Sequence, residues 1–95
     1  MAIETIESAE KHGYDRDDAI HAMAHHRWLV EGFDEPRIPG VPAPDLYIGP
    51  APTGELIEVM SYLSPPRDVY IFHIMKLRKK TRDRALDELE RRGNQ

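Results

Sequence analysis

Val69-Tyr70-Ile71-Phe72-His73-Ile74-Met75-Lys76-Leu77-Arg78-Lys79-Lys80-Thr81-Arg82 runs from β-forming residues straight into a block of cations. Ile, Val, Tyr and Phe suit a pleated, largely buried surface, so residues 69 to 77 are expected to form a central strand. Whatever follows is then held at the mouth of a rigid sheet, a good place to grip a phosphate. Residues 76 to 84 carry six Lys and Arg against one Asp, a local charge of +5 in a chain whose net charge is −4, so the remainder sums to −9. The chain reads as acidic with one basic edge.

Working outward, 95 residues of which 40% are apolar are expected to form one domain, residues 1 to 95. By size scaling such a domain buries roughly 60 to 65% of its unfolded surface, enough for one modest core. No apolar stretch approaches the ~18 residues of a membrane span, and residues 1 to 10 lack the charged-then-apolar pattern of a signal segment. A soluble cytoplasmic protein without a membrane partner is the expectation. The absence of cysteine removes disulfides and thiolate metal sites.

Residues 2 to 12 place Ile3, Ile6 and Ala9 on one helical side, and Gly13 sits where a helix stop belongs. Asp15 is a fitting N-cap for a second helix over 15 to 26, with Asp17 and Asp18 in its first turn and Ala19, Ile20, Met23 and Ala24 as its apolar stripe. Trp28, Val30 and Phe33 suggest a short strand over 27 to 33. Pro36, Pro39, Gly40, Pro42 and Pro44 make 34 to 44 a stiff loop. Residues 46 to 49, 56 to 63 and 69 to 77 read as strands, with Ser64-Pro65-Pro66-Arg67-Asp68 as the last turn. A final helix over 81 to 92 carries Ala85, Leu86 and Leu89 on one side and stops at Gly93. The expected fold is α+β: two N-terminal helices, a three- to four-stranded antiparallel sheet and a C-terminal helix, with the helices on one sheet face and the other face left to bind.

The basic edge comprises Lys76, Arg78, Lys79, Lys80, Arg82 and Arg84. Cations at a helix N-terminus oppose its macrodipole by about 0.3 to 1 kcal/mol each, so an anion is expected to offset them. A polyanion such as RNA would do so, gaining affinity by counterion release. His73 suits general acid or base work on a phosphodiester, with Arg78 or a lysine meeting the charge that develops on phosphorus. RNA brings its own nucleophile, the 2′-hydroxyl, so neither metal nor cofactor is called for. Strict alternation sets His73 with Val69, Ile71, Met75 and Leu77, opposite Lys76 and Arg78, and the two sets meet only if the strand bulges or ends near Met75 and Lys76. Glu58 is the one acid placed to act as a base, against the plainer reading of an exposed strand position. His21 and His25 are four apart with His26 beside them, a spacing that chelates zinc. His21-Ala22-Met23-Ala24-His25 lacks the metalloprotease glutamate and no third ligand suggests itself, so no metal is assigned.

Two sets of segments resemble a known family. Lys11-His12-Gly13-Tyr14-Asp15-Arg16-Asp17-Asp18-Ala19 is similar to the "KHG, two residues, acidic pair, Ala" segment of BrnT-like toxins of bacterial type II toxin–antitoxin modules. Leu46-Tyr47-Ile48-Gly49-Pro50, Gly54-Glu55-Leu56-Ile57-Glu58-Val59 and residues 71 to 81 resemble that family's later strands, in the right order over about two thirds of the chain. The resemblance implies a RelE/ParE-like fold and a small ribonuclease that blocks translation. It also implies inhibition by a cognate antitoxin in a hetero-oligomer, with DNA contacted only through that antitoxin. By matching position it carries over Lys11, His12 and Arg78 as active-site candidates, beside His73 from the residue reading. Lys76, Lys79, Lys80 and Arg82 are the expected RNA contacts.

Two other classes compete with the ribonuclease. A non-catalytic interaction module would use the same basic edge to dock an acidic partner. A DNA-contacting subunit fits poorly, because helix 15 to 26 offers only Arg16 and three histidines to a major groove.

Overall fold

Alternation sets Ile57, Val59 and Ser61 on one side of the central strand and Glu58, Met60 and Tyr62 on the other, and the rest of the chain is arranged around these two unlike faces. The structure, a computed structural model, describes residues 3–5, 7–36, 39–40, 42–64 and 68–93. In chain order the elements are β1 (Ile3–Thr5), a 3-10 helix (Glu7–His12), α1 (Arg16–Ala24), β2 (Trp28–Val30), β3 (Asp45–Pro50), β4 (Leu56–Ser64), β5 (Asp68–Lys76) and α2 (Lys79–Gly93). Among the described residues five strands form one sheet in the order β1-β5-β4-β3-β2. β2 to β5 are antiparallel neighbours, and β1 lies parallel to β5. The α+β class stands, and the strands of the meander fall close to the expected spans. No helix among the described residues is long and apolar enough to cross a membrane.

Three expectations are corrected. The helix expected over 2 to 12 is instead a short strand followed by a 3-10 helix. Ile3 and Thr5 are half-buried and Glu4 exposed, a period of two that fits a strand, and the open edge of β5 supplies the ladder partner. Ile3 joins the core from that strand, whereas Ile6 lies outside the described residues, as does 65 to 67 of the expected turn. The sheet is accordingly five-stranded and mixed, not three- to four-stranded and antiparallel.

The helices also do not share one face. Ala19 and Ala22 of α1 pack with Ile57, Val59, Ile71 and Ile74. Ala85 of α2, with Leu89 beside it, packs with Val30, Leu46 and Ile48. Because Ile57 and Val59 alternate with Glu58 and Met60, these are opposite sides of the sheet. The face expected to be free for binding is therefore roofed in part by α2, and a polar strand residue beneath it is buried.

Local chemistry explains where α1 begins and how closely it packs. Asp15 accepts a hydrogen bond from the Asp18 amide, and the Asp18 carboxylate accepts one from the Asp15 amide, a reciprocal capping box. The buried stripe is Ala19 and Ala22, with Ala24 exposed where it was expected inside. Small side chains are needed there because α1 lies directly on β3. A Cβ at Gly49 would collide with the Ala22 carbonyl oxygen and come within 2.9 Å of the His26 Cα. Both obstacles are backbone and cannot rotate away. Gly49→Ala is expected to destabilise the fold by about 1 to 3 kcal/mol, read as a lower midpoint in urea with an unchanged slope; a midpoint equal to that of the parent would show that α1 does not sit this close.

Candidate functional site

The sheet register at the centre of β5 decides which side chains meet. Met60 pairs with His73 while Ser61 pairs with Ile71, so Phe72 is an extra residue and β5 bulges there. Ile71 and Ile74 both remain in the α1-side core. His73 consequently turns to the α2 side beside Met60 and Glu58. The expected grouping of His73 with Ile71 on one face is thus corrected. His73 meets Arg78 because β5 ends at Lys76, which frees Arg78 from the alternation of the strand, whereas the bulge ahead of His73 turns His73 itself to the α2 side.

At the centre stands Glu58, fully buried. Its Oε1 accepts from His73 Nε2 at 2.7 Å and from Arg78 Nη2 and Nε at 2.6 and 3.0 Å, and its Oε2 accepts from the Arg78 amide at 3.0 Å. Burial alone would push this carboxyl upward. Hydrogen bonds from His73, Arg78 and the Thr81 hydroxyl overcome it and hold the pKa at about 2, below the ordinary 4.5. With Glu58 ionised, His73 Nε2 must carry the proton it donates. In the neutral ring Nδ1 then has the lone pair; a carboxylate fixes the tautomer as it does in a Ser-His-Asp triad, but with the two ring nitrogens exchanged.

Glu58 also resolves the electrostatic puzzle at the start of α2. That helix opens on Lys79 and Lys80 with no acid in its first turn. The carboxylate reaches across from β4 to the Arg78 amide and to Thr81, doing from a distance what an acidic N-cap residue does locally. The anion that offsets the cations is therefore internal, and their position by itself no longer requires an external phosphate.

Beside Glu58 a cleft of about 330 Å³ is lined by Phe33, Asp34, Glu58, Met60, Arg78, Lys80, Thr81 and Arg84. Phe33 and Asp34 come from the start of the Pro-rich loop, which is closed at its base by Phe33 N–H to the Pro44 carbonyl at 2.9 Å and Gly32 N–H to Asp45 Oδ1 at 2.9 Å. Arg84 lies 4.1 Å over the Phe33 ring and donates to the Phe33 carbonyl at 2.7 Å, tying loop to helix.

The structure brings some of the expected residues together and separates others. His12, at the end of the 3-10 helix that packs against β5, has its ring 6.4 Å from that of His73 in an edge-on arrangement. The two histidines lie beyond Glu58 toward the β5 edge and do not line the cleft. The Lys11 side chain is exposed and, among the described residues, makes no hydrogen bond or ion pair. Lys76 stands on the α1 side of β5, paired in register with Ile57, and its ammonium is 4.0 Å from Glu55. Lys79 and Arg82 point along the outside of α2 and share Asp83 at 3.8 and 3.3 Å. Of the four expected RNA contacts only Lys80 lines the cleft, with Arg84 one helical turn further on. Thr81, Phe33 and Asp34 were not anticipated. Thr81 carried a faint signal, a hydroxyl in the first turn of a helix, whereas Phe33 and Asp34 carried none.

Comparison with protein-family models, with curated proteins and with solved structures finds no match.

The depressed pKa of Glu58 ties stability to pH. The unfolded carboxyl titrates near 4.5 and the folded one near 2, so the contribution is complete above pH 4.5 and is lost as the pH falls toward 2. It amounts to about 3 kcal/mol. Chemical denaturation from pH 7 to 2.5 is expected to show this loss in the parent protein. Glu58→Gln should be less stable at pH 7 and flatter across that range, and an equally steep profile in the variant would locate the titration elsewhere.

Proposed function

We propose that this chain is a metal-independent endoribonuclease and the toxin of a type II toxin–antitoxin pair. The observation that carries the catalytic part is the buried Glu58 carboxylate holding His73 by Nε2, with a second imidazole, His12, whose ring centre is 6.4 Å from that of His73. Cleavage of RNA through its 2′-hydroxyl needs a base to take the hydroxyl proton and an acid to protonate the leaving 5′-oxygen. In this reading His73 Nδ1 is the base, Glu58 steadies the imidazolium that forms, and His12 in its protonated form is the acid. Arg78 is half committed to Glu58 and offers the rest of its guanidinium to the phosphate. Lys80 and Arg84 hold the strand where it continues into the cleft. The toxin role and the antitoxin partner rest on the resemblance of the segments at 11 to 19, 46 to 50, 54 to 59 and 71 to 81, and a cytoplasmic setting rests on the composition, which lacks cysteine.

One observation favours the non-catalytic alternative. Five of the six cations of the basic edge already face the chain's own carboxylates: Lys76 with Glu55, Arg78 with Glu58, Lys79 and Arg82 with Asp83, and Arg84 with Asp34. Such pairs on an exposed surface contribute about 0 to 1 kcal/mol, so a phosphate can displace the outer four, but an acidic protein segment can do the same.

The two readings separate on a single substrate. Purified protein incubated with single-stranded RNA in EDTA is expected to yield 2′,3′-cyclic phosphate ends, whereas the same strand as DNA stays intact. His73→Ala and His12→Ala should each lower the cleavage rate by about 10² to 10⁴-fold, while Lys80→Ala weakens RNA binding and its salt dependence with little change in the rate at saturation. RNA left whole by the parent protein, or cut equally well by both histidine variants, would remove the nuclease and leave the docking module.

A further inference from the structure

A second histidine pair, His21 and His25 at the C-terminal end of α1, has the spacing of two metal ligands on one helix face. The His25 amide still donates to the His21 carbonyl at 3.0 Å, so the two residues are one true helical turn apart. Their rings stand 4.6 Å apart at 42°. His21 Nδ1 is 2.8 Å from the Pro50 carbonyl oxygen. A carbonyl only accepts, so Nδ1 carries the proton and Nε2 has the lone pair. The backbone at the end of β3 therefore fixes both tautomer and ring orientation, as the outer partner of a metal-bound histidine does.

Electrostatics favour a cation there. The site lies at the C-terminal end of α1, where the macrodipole supplies negative potential. Access is open, since His25 is exposed and His21 half-exposed. Two imidazole nitrogens suit borderline divalent ions such as Zn²⁺, Ni²⁺ and Cu²⁺ far better than Mg²⁺ or Ca²⁺. Among the described residues no group of three or more His, Asp or Glu is placed to hold a metal, so the remaining positions would be filled by water.

We propose that His21 and His25 form a two-ligand site for a divalent transition-metal ion, with the Pro50 carbonyl as the orienting partner of His21. Bound metal clips the last turn of α1, which the His21 hydrogen bond to Pro50 already holds to the end of β3. The site is separate from Glu58 and His73 and does not depend on the nuclease reading.

Titration of the full chain with zinc chloride, followed by calorimetry and by melting temperature, tests it. One equivalent is expected to bind and raise the melting temperature, with magnesium chloride having no such effect. His25→Ala removes an exposed side chain and leaves the fold alone, so it should weaken zinc binding at least ~10-fold, since loss of a mere orienting partner already costs that much. His26→Ala and the His12→Ala, His73→Ala double variant should bind as the parent does. Zinc bound equally well by His25→Ala, or lost in the double variant, would place the ion elsewhere. No heat and no melting shift with the parent in excess zinc would overturn the site altogether.

Discussion

A carboxylate with no contact with water, at the centre of a β-sheet, must be compensated from within, and the way Glu58 is compensated organises this molecule. Its two oxygens gather an imidazole from β5, a guanidinium and an amide from the junction between β5 and α2, and a hydroxyl from the first turn of α2. Those donors belong to three consecutive pieces of chain that would otherwise be joined only by a short link. Removing the acceptor leaves a half-buried guanidinium and a half-buried imidazole without their shared partner, a loss smaller than that of a fully internal pair because water reaches both. The same contact that starts α2 in the right place also selects the tautomer of His73. Structural and chemical roles fall on one side chain.

The bulge at Phe72 is what makes this arrangement reachable. Without it, His73 would follow Ile71 into the α1-side core, where nothing among Ile57, Val59 and Ala22 can accept its N–H. One additional residue in β5 rotates everything from His73 onward by one face and keeps Ile71 and Ile74 both inside. The strand thereby presents apolar groups to α1 and polar groups to Glu58 from a nearly continuous hydrophobic run. β1 is short and pairs only with Val69 to Ile71. Beyond it the 3-10 helix runs against β5 and sets His12 beside His73.

Much of the meander was legible because its signals are local. Period-two alternation at 46 to 49 and 56 to 63, prolines through 36 to 44, and Asp15 before an acidic first turn each act within a few residues, and the observed elements follow them closely. The first segment was misread for the opposite reason. Ile3, Ile6 and Ala9 fit a helical spacing as well as Ile3-Glu4-Thr5 fits a strand, and the choice belongs to the unpaired edge of β5, some 65 residues away in the chain. Glu58 was recognised as a possible base but taken to be exposed more readily than buried. That followed from assigning all helices to one face; once α2 covers the other, the same alternation buries it.

Chain chemistry alone settled the α+β class, the approximate spans of the four antiparallel strands, the N-cap at Asp15 and the concentration of cations at 76 to 84, since each depends on residue type and short-range spacing. Folding in three dimensions settled which of those cations matter to the site. Lys76 was turned to the α1 side by strand alternation, Lys79 and Arg82 were drawn outward to Asp83, and Lys80 and Arg84 were set in the cleft by helical periodicity. It also supplied the anion at the start of α2 from a strand 20 residues earlier. Burial, pairing across strands and the facing of a helix arise only when distant segments meet, and no window of sequence contains them.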